Sequence, residues 1–472
     1  MRTSQNPELW PGMLCLLTFL LGCGKDSINA PIPNFQVPKS VDAVAGNVVS
    51  QKYMQLQQNP QSAEAWSTFA DACLANEMFA DAISAYEIII TQNQQDAESI
   101  WRCAVAFSEL GELDRAIDLS TKHQKLFACR AECSRRIAEW HFDNGDLEQA
   151  KARLADRQDC GFEDYWMDVL EAEILISEAN FEGAKSVIQQ YSPPYEEDLY
   201  RLAELTARRT EDNSWLDSLR TKEPQKNRIP PDPWIDSLAP LNRTVLADRR
   251  RAEDLVARPP NQQTSQQLRY LHDARPKDSW FAATYAMNLL QLGQIENAAS
   301  TLGQLKLDRE QWTAEYWMVT ALVRMKQYEA TPDESTAQSM LEASLNVIAV
   351  DPNHVTATKT SAKAYRLLGN FTAEAEAWKA ASELASTPEE QLTCLGASFQ
   401  ATGRAGDWTR ASSSFDLLLE EVPEEQAKKF WAAAAQAAIN AGRRSQAQLY
   451  IERLRTGGYE ELAIQLEQGL KQ

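Results

Sequence analysis

The sequence predicts an all-α protein, an α-solenoid of stacked helix–turn–helix repeats arranged in two arrays. Two observations support this fold class: residues 64–188 repeat at a fixed interval of 34 residues, and each interval holds two apolar stretches of helical period. Recurrence at such an interval is the signature of stacked supersecondary units. Three positions of the repeat unit recur at this interval. Two of them hold alanine, and the third holds a large apolar residue. The three sets are Ala70, Ala104, Ala138 and Ala172; Ala82, Ala116, Ala150 and Ala184; and Phe79, Leu113, Leu147 and Phe181.

The second unit shows why each interval is interpreted as two helices. One apolar stripe ends at Gly111, a residue suited to a helix C-terminus, and a second stripe begins at Leu113. Small residues at Ala104 and Ala116 would let the paired helices approach closely. Because a lone pair cannot bury its apolar face, we expect neighbouring pairs to stack.

With these residues in view, the chain resembles the tetratricopeptide repeat (TPR) family. The resemblance is close over four consecutive units, and looser copies follow around Gly293, Gly369, Gly406 and Gly442. It implies that the first helix of each unit lines the concave side of a superhelix, where protein partners bind. Such a resemblance identifies a fold much better than a function.

The first residues are predicted to be a leader rather than part of the fold. Residues 13–21 (MLCLLTFLL) are too short to span a bilayer but have the length of a signal-peptide core. The following Gly22-Cys23 resembles a bacterial lipoprotein signal. The resemblance implies a signal peptide over 1–22, a lipid on Cys23, a tether over 23–36 and a place at the cell envelope. Gly24 favours the periplasmic side of the outer membrane, and the alternative is a cytoplasmic protein.

The charge of the chain disfavours some partners. Its 472 residues carry a net charge of −20. Nucleic acid phosphates and anionic lipid surfaces would be repelled, so membrane contact is expected through the lipid alone. A partner with basic or aromatic side chains is more compatible with this charge.

The six cysteines beyond the leader are interpreted as structural thiols. Cys73 and Cys103 lie on apolar stripes, where cysteine acts as a small apolar residue. An oxidising compartment would permit a disulfide among Cys129, Cys133 and Cys160, but spacing does not select a pair.

A proline-rich stretch separates the two arrays. The N-terminal array is predicted over 37–222, with a capping helix from about Ser40, and the C-terminal array over 265–472, with an insertion at 329–336 and a capping helix at 460–472. Residues 223–264 hold seven prolines, which leave room for a helix only near 244–257. Arg249, Arg250 and Arg251 suggest either a docking site or a connector whose arginines pair with acidic neighbours.

No catalytic, metal or cofactor site is predicted. The four histidines are far apart, and His141 occupies a packing position of its repeat. Phosphate-binding glycine loops and nucleophile turns are missing from the sequence. Acidic pairs are frequent, which 67 Asp and Glu residues explain without catalysis. We therefore expect no enzyme.

The TPR resemblance implies a binding groove on the first helices. Aromatic residues among carboxylates would suit an extended peptide with apolar and basic side chains, with tryptophan anchors supplying most of the energy. In the alternative interpretation the tryptophans pack between repeats. The implied groove positions are Glu64, Asp71, Glu98, Trp101, Arg135, Glu139, Phe142, Trp166 and Glu173.

The sequence thus predicts a non-catalytic scaffold or adaptor that is lipid-anchored at the cell envelope and holds another protein there. One alternative is a component of outer-membrane protein assembly or secretion machinery. A second is an envelope hydrolase or its activator, and a third is a cytoplasmic scaffold.

Overall fold

Many helices of the chain begin at a polar side chain that accepts hydrogen bonds from the first turn. Asp42 accepts from the N–H groups of Val44 and Ala45. Asp96 accepts from the N–H of Ser99 in the same way. These caps satisfy N–H groups that have no partner within the helix, so many helix starts follow from local sequence.

The computed structural model describes residues 27–126, 131–160, 165–227, 230, 232–305 and 312–471. These residues form helices and two isolated β-bridges, with no extended sheet among them. The chain divides into two compact units, Met1–Ala247 and Asp248–Gln472, here called the N-terminal and C-terminal units. Within the described ranges, no helix is both long enough and apolar enough to cross a membrane. The predicted signal peptide and Cys23 lie outside the described residues.

The N-terminal unit is a succession of helices that pack on their neighbours in the chain, except for a final single turn that packs on the fourth helix. Its helices are α1 (Ala43–Gln58), α2 (Ala63–Ala75), α3 (Phe79–Gln92), α4 (Ala97–Glu109), α5 (Leu113–Leu126), α6 (Ala131–Asp143), α7 (Leu147–Cys160), α8 (Tyr165–Ser177), α9 (Phe181–Ile188), α10 (Glu197–Arg209), α11 (Asn213–Arg220) and the single turn α12 (Pro233–Asp236). Helix α13 (Val245–Val256) contains the division between the units.

The repeating alanines lie where the helices meet. All eight members of the two alanine registers, from Ala70 to Ala184, have no exposed surface. A side chain no larger than a methyl group lets the backbones of the paired helices approach closely, and Phe107 and Leu113 fill the space beside them. The predicted helix pairs and their alanine contacts are confirmed.

The turn inside each pair has a left-handed residue at the same register. Gly111 and Gly145 occupy it with φ of 77° and 79°. Glu77 and Ala179 occupy it in the flanking repeats with φ of 65° and 59°. Only glycine adopts this conformation without steric cost, so the first and fourth repeats carry strain that the second and third avoid.

Part of the predicted tether packs on the first helices. Ile28 is buried and its N–H donates to the carbonyl of Gln61 at 3.1 Å. The hydroxyl of Tyr53 donates to the carbonyl of Pro33 at 2.6 Å. Phe35 packs edge-on against Phe69. Residues 27–36 therefore cover the start of the N-terminal unit.

The C-terminal unit continues the same pairing. Its helices are α14 (Gln262–Ala274), α15 (Ser279–Gln291), α16 (Ile295–Gly303), α17 (Ala314–Ala330), α18 (Glu334–Val350), α19 (Val355–Leu367), α20 (Phe371–Glu383), α21 (Pro388–Arg404), α22 (Trp408–Glu421), α23 (Glu424–Ala427), α24 (Trp431–Asn440), α25 (Arg444–Thr456) and α26 (Glu460–Lys471). The predicted capping helix at the end is α26.

Two sequence irregularities have a clear structural outcome in this unit. The predicted insertion at 329–336 lengthens α17 and α18 to 17 residues each, and Asp333 caps the second of them. Glu374, which replaces the usual inner alanine of a repeat, is 1% exposed and its carboxylate accepts from Arg404 at 2.6 Å. The helix register is thereby kept despite the larger side chain.

The arginine run pairs with acidic neighbours of the C-terminal unit. Arg251 contacts the fully buried carboxylate of Asp248 at 2.7 Å, and Arg275 contacts it at 2.9 Å. Arg249 lies 3.5 Å from Asp278. Arg249 and Arg251 therefore agree with the second interpretation, in which the arginines of the connector pair with acidic neighbours.

Candidate binding face

The implied groove residues lie on the first helix of four successive pairs. Their surface on α2, α4, α6 and α8 is here called the first-helix face. It carries Glu64 and Asp71 on α2, Glu98 and Trp101 on α4, Arg135, Glu139 and Phe142 on α6, and Trp166 and Glu173 on α8. The predicted residues are thus brought onto one succession of helices.

Their exposure differs sharply. Glu64 and Glu98 are exposed, whereas Trp101 and Arg135 are buried. The remaining five side chains are half-buried. The buried residues need an explanation, because a ligand cannot reach a residue that is already covered.

The chain itself covers part of this face. Residues 232–243, here called the strap, cross α6 and α4 first and reach the end of α2 last. The strap therefore runs back along the repeats, opposite to their order in the sequence. It comes from the stretch predicted as a proline-rich connector, and it belongs to the N-terminal unit.

The carboxylate of Asp232 is the most enclosed polar group of the strap. Asp232 is 4% exposed. Its two oxygens accept from the indole Nε1–H of Trp101 at 3.3 and 3.2 Å. One oxygen also accepts from Nη1 of Arg136 at 3.0 Å. A buried carboxylate is tolerated only when it is paired and hydrogen-bonded in this way.

Arg102 holds the middle of the strap. Its Nε–H donates to the carbonyl of Trp234 at 3.1 Å, and its Nη2 donates to the hydroxyl of Ser237 at 2.8 Å. The same guanidinium contacts Asp71 at 3.0 Å and Glu98 at 2.5 Å. Two of the predicted groove carboxylates therefore orient an arginine that binds the strap.

Asn76, the residue after α2, forms two hydrogen bonds with the backbone of the strap through its side-chain amide. Its side-chain amide donates to the carbonyl of Leu241 at 2.9 Å. Its side-chain oxygen accepts from the N–H of Arg243 at 2.9 Å. This two-way contact fixes the position of the strap along α2.

Apolar side chains close the contact. Leu238 is buried within the core cluster of the N-terminal unit, and Trp234, Ile235 and Leu241 pack against that cluster. The ring of His123 on α5 lies 5.1 Å from the ring of Trp101 and 5.6 Å from that of Trp234. The strap is therefore bound by a combination of hydrogen bonds, charge and buried apolar surface.

Burial also changes the acidity of two face residues. It raises the pKa of the Asp71 carboxyl, although Arg102 and the hydroxyl of Tyr86 oppose the change. It raises the pKa of the Glu139 carboxyl as well, where Arg135 on the same helix is the main opposing group. Arg135 donates to Glu139 at 2.6 Å, so this pair is satisfied within α6.

The far end of the face has a different environment. Glu173 pairs with Arg201 of α10 at 2.8 Å. Trp166 is half-buried and its ring lies 5.6 Å from that of Tyr165. Phe142 packs against the core cluster that contains Met167 and Leu170. Binding of a partner by these residues stays a prediction.

Sequence reasoning missed Arg102, Arg136, Asn76 and the strap. Arg102 and Arg136 are separated by the repeat interval, as are Trp101 and Arg135, so the periodic signal was present. The predicted preference for a basic partner stays a prediction. The group that the covered part of the face binds is the carboxylate of Asp232.

Several histidine and cysteine side chains contribute to helix capping or to packing. Within the described ranges, no cluster of His, Cys, Asp and Glu is arranged to hold a metal ion. His354 caps α19 by accepting from the N–H of Ala357 at 3.2 Å. Cys73, Cys103 and Cys133 are buried, and burial raises the pKa of the Cys103 thiol to about 12. The thiols of Cys129 and Cys160 lie outside the described part.

No protein-family model and no curated protein matches the chain. Several solved structures are similar at low identity. A structure of Naa15/Naa10 bound to HypK is 14% identical with a TM-score of 0.32, over 89% of this chain and 65% of that one. The Cut9–Hcn1 hetero-tetramer of the APC/C is 13% identical with a TM-score of 0.30, over 89% of each chain. Yeast Tom70 is 13% identical with a TM-score of 0.28, over 86% of this chain and 95% of that one. The fold assignment rests on the helix pairing within this chain itself.

Proposed function

We propose that the protein is a non-catalytic scaffold that holds another protein through an extended segment bound to the first-helix face. One observation carries the proposal: this face already binds a twelve-residue segment, residues 232–243, by buried polar and apolar contacts. A surface that binds one irregular segment of the chain has the hydrogen-bonding groups and apolar contacts that recognition of a peptide segment requires.

A site-specific crosslinking experiment tests this function. A photoreactive amino acid at Glu64 or Glu98, both exposed on the first-helix face, should capture a discrete protein in cells. Ser84 is exposed on α3, a second helix, and provides the matched control position. The captured protein, once purified, should bind the full chain with the same positional dependence.

Equal capture from Glu98 and Ser84 would contradict the proposal, because it would show contact without a preferred face. Capture of membrane β-barrel proteins or of proteins that move polypeptides would favour the assembly or secretion alternative. Hydrolytic activity of the purified chain, lost with one carboxylate, would favour the hydrolase alternative.

We also propose that Cys23 carries a lipid that anchors the scaffold at the cell envelope. The apolar run at 13–21 followed by Gly22-Cys23 supports this placement. Residues 27–36 pack on α1 and α2, and the proposed lipid site at Cys23 lies only four positions before Ser27 in the sequence. The anchored end of the N-terminal unit would then lie close to the membrane surface.

The Cys23→Ser variant tests the anchor. It should leave an unprocessed precursor, shift the electrophoretic mobility of the chain and abolish incorporation of labelled fatty acid. Cys15→Ser, in the leader itself, is the control and should be processed normally. Unchanged mobility and unchanged membrane fractionation of the Cys23→Ser protein would contradict the proposed lipid anchor.

A further inference from the structure

We propose that the first-helix face recognises segments with an Asp-Pro-aromatic sequence, and that the strap is a resident ligand which such a segment must displace. The inference rests on the proposed scaffold function and names the partner chemistry and the regulation of the same face. It follows from which strap atoms are bound, which are exposed, and how the strap is attached.

The carboxylate is the first recognition element. Trp101 and Arg136 come from neighbouring repeats and converge on Asp232, and Arg136 also lies 3.4 Å from Glu109. Within the strap, the N–H of Ile235 donates to the same carboxylate at 3.3 Å. An amide in place of the carboxylate would lose the charge-assisted bond to Arg136, so an acidic residue is preferred here.

The proline and the aromatic residue are the second element. Pro233 begins the turn α12 at the position where its missing N–H costs nothing and its fixed φ favours the helical conformation. This turn directs the ring of Trp234 to His123 and its carbonyl to Arg102. The three-residue sequence thus presents an anion, a preformed turn and an aromatic ring to one side.

The strap is covered on one side only. Pro233, Asp236, Ser237, Ala239 and Pro240 are exposed, while Asp232 and Leu238 are buried. The described residues that precede it, 221–227, are mostly exposed and contain no helix. Helix pairs α2–α3 and α4–α5 also have apolar contacts of their own that do not involve the strap.

Attachment explains why the face is occupied at rest. Because the strap is part of the same chain, its binding is intramolecular, and the effective concentration of a tethered ligand is about millimolar. A free segment with the same contacts must therefore exceed that concentration, or bind more tightly, to replace the strap. Weakening the strap by mutation removes this competition.

The test uses the full chain and a labelled synthetic peptide of residues 232–244. Fluorescence anisotropy measures its binding to the wild-type protein and to a strap variant, Asp232→Ala with Trp234→Ala. The peptide should bind the strap variant at least about tenfold more tightly, because the resident competitor is weakened. A peptide with Asn in place of the aspartate should bind about tenfold less tightly than the parent, which reports the charge-assisted bond.

Two further variants place the peptide on the proposed face. Arg136→Gln, added to the strap variant, should abolish the gain in affinity. Arg115→Gln is the matched control, because Arg115 is an exposed α5 arginine that pairs with Glu87 and Glu112 away from the strap. Equal affinity of the wild-type and strap-variant proteins, or indifference to Arg136→Gln, would overturn the proposal.

A measurement on the wild-type protein keeps the test valid if the strap variant loses helicity. The backbone N–H of Arg243 donates a hydrogen bond to the side-chain oxygen of Asn76. Hydrogen exchange at this N–H should accelerate when excess peptide displaces the strap. Unchanged protection at saturating peptide would overturn the proposal.

The outcomes separate this inference from the scaffold function. Partner capture at Glu98 without peptide binding would leave the function standing and reject the ligand chemistry. Peptide binding that depends on Arg136, without any partner capture, would support the ligand chemistry and reject the scaffold function.

Discussion

Arg102 is the residue on which the covered part of the first-helix face depends, because its guanidinium contacts four groups at once. It binds the Trp234 carbonyl and the Ser237 hydroxyl of the strap and the carboxylates of Asp71 and Glu98. Arginine suits this task because its planar fork presents several donors in fixed directions. The acidic residues of the face therefore act partly through a cation that they orient.

Glu374 and Arg404 allow a test of a buried ion pair at a repeat position that usually holds alanine. Arg404→Gln should lower the free energy of unfolding by about 3 kcal/mol, because it leaves the Glu374 carboxylate buried without its cation. Adding Glu374→Ala should restore most of the loss, since the buried charge is then gone. Urea denaturation of the single and double variants measures both effects. A double variant no more stable than Arg404→Gln would contradict this account.

Glu139 gives a pH prediction with a definite sign. Burial raises the pKa of its carboxyl above the ordinary value of 4.5. In the pH range just above 4.5, the carboxyl therefore binds a proton more often in the folded chain than in the unfolded chain. The free energy of unfolding contributed by Glu139 therefore falls as pH rises through and above about 4.5. The wild type should lose stability relative to Glu139→Gln as pH rises from 4.5 to 7.

Urea denaturation at several pH values measures that difference. The exposed residue Glu64 supplies the control variant Glu64→Gln. A stability difference between wild type and Glu139→Gln that does not change with pH would show that burial of Glu139 has no energetic consequence.

At the scale of a secondary-structure element, the turn within each helix pair depends on one left-handed residue. Ala179→Gly should raise the free energy of unfolding by about 0.5–1 kcal/mol, because glycine removes a steric cost at φ 59° that exceeds its larger chain entropy. Ala152→Gly, in the exposed middle of α7, is the matched control and should lower it by about 1 kcal/mol. Thermal and urea unfolding measure both. Destabilisation by Ala179→Gly would show that the turn is not strained.

The strap is an element whose position could not be read from its own residues. Its prolines correctly excluded long helices, and the helix expected near 244–257 forms as α13. Its sequence has no repeat register, however, and a proline-rich stretch between two arrays has the composition of a linker. Docking depends on Trp101, Arg136 and Asn76, which are 96 to 167 residues away in the chain.

At the scale of the whole molecule, the boundary of the N-terminal unit becomes testable. The repeat pattern ends near residue 222, whereas the compact unit extends to Ala247 and includes the strap. A fragment of residues 27–247 should be more stable than one of residues 27–222. Burial of Leu238 alone contributes about 1.5–3 kcal/mol, to which the hydrogen bonds of Asn76 and Arg102 add.

Thermal unfolding followed by circular dichroism compares the two fragments. A higher midpoint is expected for the longer fragment, and the strap substitution Leu238→Ala should lower it. Equal midpoints for the two fragments would show that the strap contributes nothing to the stability of the unit.

The sequence alone determined the helix pairs, their alanine contacts and the helices that carry the first-helix face. Periodicity suffices for these features because each repeat contacts mainly its neighbours, so local pattern and local packing agree. The nine implied groove residues lie on the first helices of their pairs, and their part in binding a partner stays a prediction.

Only the tertiary structure decided that Trp101 lies beneath Asp232, that Asp71 and Glu98 hold Arg102, and that the strap closes part of the face. These contacts join residues far apart in the chain that share no period. Complementary charge, hydrogen bonding and shape select them, and such complementarity exists only after the helix pairs have stacked.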